Sequence, residues 1–395
     1  MAPSRHPYRT TLSIVALFLL VLIGLAARPA AAKLEGKEVK IGVINQVSGR
    51  FAAFGKDSEV GFKMAMERLE KMGGMGGLPV NFVFCDDASK SDEAIACVRK
   101  LANSDKVLAI IGPFLSASCK VAFPVAERLG IVAISHASAA PGLAAPYKFA
   151  FRAALTSDKL NAPTFALWAK KNPTVKTLVY LWDNSDVVYK GEHDGVFPDL
   201  FKKHGMQVLD DITFGPADID FSAQVTRAKA KNPTGIIVTA SYSQGANVVR
   251  EIRRQGMTQP IYGGIGISSP EFIRQAGKSA EGVVNAQAFW PGNPDPKVKG
   301  FVDEYTKRHE GKPPPMYAAA AYDLMFMMKK VIEEGGVTNR PADLQADRDR
   351  IRAGFAKMKN YPSLAGNVSF NEDGDVVQEE PVPLVVKDGF WAKYE

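Results

Sequence analysis

The chain has 395 residues, 46% of them apolar and 23% charged, and a formal charge of +7, of which Arg5, Arg9 and Arg28 near the N-terminus account for three. Basic and acidic residues are interspersed rather than clustered, so nucleic acid is not implied as a partner. This length exceeds what one hydrophobic core usually organises, and two lobes are expected.

In chain order, Arg5 and Arg9 precede an apolar run over residues 12–27, and Ala30-Ala31-Ala32 supplies small residues for processing. The run is shorter than the ~20 residues a membrane span needs. It predicts a secretory signal over residues 1–32, cleaved after Ala32, and a soluble periplasmic protein without a lipid-bearing Cys.

Short β-branched runs follow at residues 39–44, 80–85, 107–111, 131–135, 177–182 and 236–239, each of a length for a strand buried on both faces. Between them, residues 58–71, 92–102, 118–129, 160–171, 195–203 and 244–254 place apolar side chains three and four apart, as helices do. Strand then helix, repeated and restarting after about Ser157, predicts an α/β fold of two lobes, each a doubly wound, mostly parallel sheet. Residues 301–308 and 317–334 read as later helices, and 364–370 as a strand leading into a turn at 371–375.

Open α/β sheets bind ligands beyond the carboxyl ends of their strands. That rule selects the loops 46–55, 112–118, 135–142, 183–191, 240–245 and 263–270, rich in Gly, Ser and Ala where backbone must approach a ligand. Taken singly, each reads as a tight turn, and only together do they indicate a cleft. Cys85, Cys97 and Cys119 allow one disulfide in an oxidising compartment, with the pair open. Their spacing and the five scattered histidines give no zinc pattern.

An enzyme is not expected. Asp86-Asp87 are adjacent on an extended segment and point apart, Gly263-Gly264-Ile265-Gly266 lacks dinucleotide spacing, and neither a nucleophile elbow nor a phosphate loop is present.

The ordered segments Lys40 to Ile44, Ser48-Gly49, Phe54-Gly55, Gly73-Gly74, Gly76-Gly77 with Leu78-Pro79-Val80, Asp86-Asp87, Ile111-Gly112-Pro113 with Ser116, Phe151-Arg152, Tyr189 to Gly191, Asp220-Phe221-Ser222, Ser279 to Gly282, Tyr317 to Tyr322 and Gly366 to Gly374 resemble those of a known family. It is the periplasmic leucine/isoleucine/valine-type (branched-chain amino acid) solute-binding proteins of ABC transporters. The resemblance covers the whole mature length. It implies a type I periplasmic-binding-protein fold that closes on its ligand about three hinge crossovers, near Thr156, Asn285 and Gly366. Lobe 1 would then be residues 33–155 and 286–365, and lobe 2 residues 156–285 and 366–395.

The resemblance further implies a ligand head group held by Ser116 with Ala117 and by Ala137-Ser138-Ala139, where the family commonly has a hydroxyl at the position of Ala139. A helix N-terminus offers unpaired N–H donors to a carboxylate, although a serine there can instead cap its own helix. Phe54 would cover the ligand from lobe 1, and Tyr189 and Tyr242 would line the cleft from lobe 2. Amino-acid binders of the family carry an acid where this chain has Ile265. A buried ammonium without a carboxylate is costly, so the expected ligand is a small carboxylate lacking the amine, with an aromatic or branched apolar body. Asp183 or Glu271 are the alternatives for holding an amine. Arg50 and His136 lie in the same loops and read as solvated residues or additional polar contacts. The expected partners are a small-molecule solute and a membrane permease, with no cofactor, no metal and no nucleic acid, in a monomer. Alternatives are an amino-acid binder of the same family and a periplasmic sensory receptor subunit.

Overall fold

The computed structural model describes residues 34–379 and 381–395, so the secretory signal expected at 1–32 lies outside the described residues. The first half alternates strand and helix: β1 (Val39–Asn45), α1 (Ala52–Lys71), β2 (Val80–Asp86), α2 (Ser91–Arg99), β3 (Ile110–Ile111), α3 (Ser116–Arg128), β4 (Ala133–Ser135) and β5 (Ala150–Arg152). These strands form one parallel sheet in the order β2-β1-β3-β4-β5.

The chain then builds α4 (Ser157–Lys171), β6 (Thr177–Asp183), α5 (Val187–Gly191), α6 (Phe197–Lys203), β7 (Gln207–Phe214), α7 (Ser222–Ala230), β8 (Gly235–Thr239), α8 (Tyr242–Arg254), β9 (Ile261–Gly263), α9 (Pro270–Ala276) and β10 (Val284–Gln287). It continues with α10 (Pro296–Arg308), α11 (Met316–Glu334), α12 (Leu344–Lys357), β11 (Tyr361–Ser363), β12 (Gly366–Phe370), β13 (Val376–Val377), β14 (Val382–Lys387) and β15 (Phe390–Lys393). The second sheet has the order β15-β14-β10-β9-β8-β6-β7, parallel except for β14 and β15, and β11-β12-β13 form a small antiparallel sheet. Among the described residues no helix is long and apolar enough to cross a membrane.

Alternation along the strands explains the layering. On β6, Leu178, Tyr180 and Trp182 join Phe165, Trp168, Phe197 and Phe201 on one face. Val179 and Leu181 join Val225, Val248 and Ile252 on the other. A strand with apolar residues at every position needs cover on both sides, and the helices that connect the parallel strands supply it. β7 escapes the apolar-run criterion because it is an edge strand carrying Gln207, Asp210 and Asp211, with one face open to water.

One of the expected hinge positions moves. Asn285 lies inside β10, paired with Leu384 and Gly263, so the second crossing follows Gln287. The third does not occur at Gly366, because β12 pairs with β11 and β13 on the first lobe's side. There the fully buried Arg152 binds both Asp375 carboxylate oxygens at 2.6 Å. The chain returns to the second sheet between Val377 and Val382, so residues 366–377 leave the second-lobe segment expected from sequence.

Candidate functional site

The carboxyl ends of both sheets face each other, and their loops meet. At the end of β3, the N-cap residue of α3 is Leu115, and no side chain caps the helix. Ser116 therefore does not cap its own helix. Its Oγ accepts from the N–H groups of Ala139 and Ala140 at 3.1 Å each and lies 3.0 Å from Ser138 Oγ. Ser135 Oγ holds the N–H groups of Ala137 and Ser138, at 3.3 and 3.0 Å. The buried Arg152 anchors the far end of this loop through the Ala140 carbonyl. The two serine hydroxyls thus hold the loop N–H groups in place, and the uncapped helix start beside them is the electrostatic setting that favours an anion.

Beside this cluster lies a cavity of about 40 Å³, whose walls include Phe51, Phe54, Phe114, Ser116, Ala137, Ala139, Asp186, Tyr189, Ile265 and Tyr317. The aromatic wall is continuous: Phe54 stacks on Phe114 at 5.9 Å, and Tyr317 packs against both at 5.3 and 4.8 Å. Tyr189 can sit there only because residue 266 is glycine. A Cβ at Gly266 would stand 2.6 Å from the Tyr189 hydroxyl and 2.1 Å from the Ala240 carbonyl oxygen.

Of the residues selected from sequence, Phe54, Ser116, Ala137, Ala139, Tyr189 and Ile265 lie on this wall. Ser138 stands behind Ser116, and Tyr242 packs edge-on against Phe54 at 5.0 Å; neither these two nor Ala117 lines the cavity. His136 is buried, with Nε2 3.0 Å from Ser58 Oγ, and burial pushes its pKa down to about 3, so it is a neutral interior imidazole rather than a solvated residue. Arg50 reaches across between the lobes, donating to Asp183, to Gln244 Oε1 at 2.8 Å and to Ser185 Oγ at 2.9 Å. Asp183 is thereby engaged, and Glu271 pairs with Arg274, so neither suggested alternative faces the cavity.

Sequence reasoning missed Tyr317 and Asp186. Tyr317 sits in the first turn of α11, two residues past Pro315 of the run Pro313-Pro314-Pro315, and reaches lobe 2 with its hydroxyl 3.3 Å from Ser268 Oγ. Asp186 reads locally as a helix cap and is one, accepting from Val188 N at 2.8 Å, but it also lines the cavity. Burial, then the nearby Asp183 charge, raise its pKa, while the Val188 N–H and Arg50 pull it down. Glu192 lies behind Ile265, accepting its N–H at 3.1 Å and that of Asn161 Nδ2 at 2.9 Å, and burial pushes its pKa up to about 7. Among the described residues no group of three or more His, Cys, Asp or Glu side chains is placed to hold a metal ion.

A family model described as periplasmic binding protein matches residues 38–385. The chain belongs to the periplasmic binding protein family. Within that family it is 25% identical, over 88% of its length and 89% of the relative's, to the leucine-, isoleucine-, valine-, threonine- and alanine-binding protein of Pseudomonas aeruginosa. The leucine binding protein of Thermotoga maritima superposes with a TM-score of 0.81 at 29% identity, covering 90% of this chain and 98% of that one. A solute binding protein from Rhodopseudomonas palustris, solved with 3,4-dihydroxy benzoic acid, has a TM-score of 0.78 at 23% identity over 90% and 95%, and shares the fold. These relatives are binding proteins and not enzymes, and the periplasmic binding protein fold accounts for the two lobes and the cleft between them.

Proposed function

We propose that the protein is the extracytoplasmic solute-binding component of an ABC importer, and that its cleft takes a small organic carboxylate with an aromatic or branched apolar body. The observation that carries the ligand class is the pairing of an anion-favouring end with an apolar one: Ser116 and the Ala137–Ala140 loop on one side, Ile265 and the aromatic wall on the other. By family resemblance, Ile265 stands where amino-acid binders carry an acid, so that an ammonium group would have no carboxylate at that position. Lobe closure traps the solute, and a membrane permease receives it from the monomeric protein, exported by a signal cleaved after Ala32.

A second reading, a branched-chain amino acid, is favoured by the names of the relatives and by one feature of the cavity. Asp186 places a carboxylate on its wall. The two readings separate on one functional group. Titration calorimetry with 4-methyl-2-oxopentanoate and leucine compares the same carbon skeleton without and with the amine. The carboxylate reading expects the oxo acid to bind at least about 100-fold more tightly, a difference of about 3 kcal/mol. Leucine binding as well or better would overturn the carboxylate reading in favour of the amino-acid one, with Asp186 the candidate partner for the ammonium.

A further inference from the structure

The rim of lobe 1 that meets lobe 2 is built from the start of α1 and the residues just before it. Arg50 donates to Asp183 and Gln244, Phe54 packs against Tyr242, and one turn further on Asp57 meets the start of α9. Ser269, which is buried, caps α9. Its hydroxyl donates to Asp57 Oδ2 at 3.2 Å and accepts the Glu271 N–H at 3.2 Å.

The two ends of this seam differ in charge. Asp183 faces the Arg50 guanidinium, whereas Asp57 faces a hydroxyl and a second carboxylate, Glu271. The nearest cation of α9 is already committed, because Arg274 binds both Glu271 oxygens, at 2.7 and 2.5 Å. The remaining titratable groups around Asp57 are Tyr242 of α8, Tyr305 of α10 and Tyr317 of α11, all phenols that burial keeps neutral. On α1 itself Lys56 is exposed and Lys63 pairs with Glu59. Ser269, Glu271 and Tyr242 belong to lobe 2 and leave Asp57 when the lobes part. Tyr305 and Tyr317 stay with lobe 1. Closure therefore strips water from a carboxylate without supplying a cation, which disfavours its charged form.

We propose that Asp57 couples lobe closure to proton uptake, so that the closed form holds a proton at this carboxylate and the open form releases it. Burial, only partly offset by the Ser269 hydroxyl and reinforced by the Glu271 charge, pushes the Asp57 pKa up to about 7 in the closed form. Opening returns the group toward the ordinary carboxylate range. The closed form then binds more protons between about pH 4 and 7, and closure is favoured at the acidic end of that window. The closed-to-open ratio falls as pH rises through it, by up to about 10-fold per pH unit. This coupling acts on the lobes themselves and holds for whichever solute the cleft takes. Asp186 is the competing group, since burial raises its pKa as well, but it lies at the Arg50 end of the seam.

Nitroxide labels on Lys71→Cys and Lys278→Cys, one exposed site on each lobe, report the open and closed populations by pulsed electron–electron resonance on the ligand-free mature protein. The native cysteines do not compete, because Cys85 and Cys97 are bridged and Cys119 is buried. From pH 8 to pH 5 the closed-to-open ratio is expected to rise at least about 5-fold. Asp57→Asn and Asp57→Ala are each expected to hold the ratio within about twofold over the same range, because neither side chain titrates there. Melting curves verify that both variants are folded. A smaller rise in the labelled parent overturns the coupling. So does a folded variant at position 57 that keeps the parent's pH dependence, which would transfer the effect to another group such as Asp186.

Discussion

Removing the Arg50 guanidinium separates closure from ligand contact. Arg50 belongs to the loop after β1, and its three partners, Asp183, Ser185 and Gln244, belong to the opposite lobe. The contact exists only when the lobes meet, so its loss falls on the closed state. The Asp183 side chain is fully buried, and that of Arg50 is 30% exposed. In Arg50→Ala, Asp183 keeps the Ser185 N–H and hydroxyl on Oδ1, at 2.9 and 2.6 Å, and loses its partner on Oδ2. A hydrogen bond to a charged group contributes about 1.5–3 kcal/mol net, and the partial exposure of Arg50 argues for the lower half of that range. At about 2 kcal/mol, the affinity for any ligand bound by closure falls roughly 30-fold. Arg50→Lys keeps the charge but not the planar fork, and should recover only part of the loss. Calorimetry on the tightest-binding acid of a panel measures the affinity, and small-angle scattering measures the closed fraction. An Arg50→Ala protein that binds within twofold of wild type, with an unchanged scattering profile, would refute the latch.

Gly266→Ala drives a methyl group into Tyr189 and the Ala240 carbonyl oxygen. It should destabilise the fold by about 1–3 kcal/mol and weaken solute binding by displacing Tyr189, read by denaturant melts and calorimetry. Asp57, Glu192 and Asp323 are each pushed up to about 7, chiefly by burial. Between about pH 4 and 7 the folded state then holds protons that the unfolded chain releases. Stability is therefore highest at the acidic end of that window and falls as pH rises through it, by up to about 1.4 kcal/mol per pH unit for each group. Melting temperatures at pH 5 and 8 check the sign, and Asp323→Asn should flatten the slope. Cys85 and Cys97 are bridged across a separation of 12 residues, and reduction should cost about 3 kcal/mol. Cys119, buried and with its thiol pushed up to about 12, should resist alkylation in the native protein.

Much of the architecture was legible because parallel strands buried on both faces leave an uninterrupted apolar run in the chain. Residues 39–44 and 177–182 announce β1 and β6 for that reason, whereas β7, with Asp210 and Asp211 on an open edge, does not. The candidate site was legible in part, since six of the nine principal residues chosen from loop position and family resemblance line one cavity. Tyr317 and Asp186 were not, because each has a complete local explanation, the first turn of a helix and a helix cap, that hides its place in the cleft.

Local composition thus determined which segments become strands and helices, that there are two lobes, and which loops border the cleft, since burial and helix formation act within a few residues of chain. Tertiary packing alone decided which cysteines pair, where the chain last crosses the hinge, and that Arg50 binds Asp183, 133 residues away. The disulfide and the last crossing depend on packing within a lobe and the Arg50 contact on which surfaces meet when the two lobes close, and no neighbouring residue in the chain carries that information.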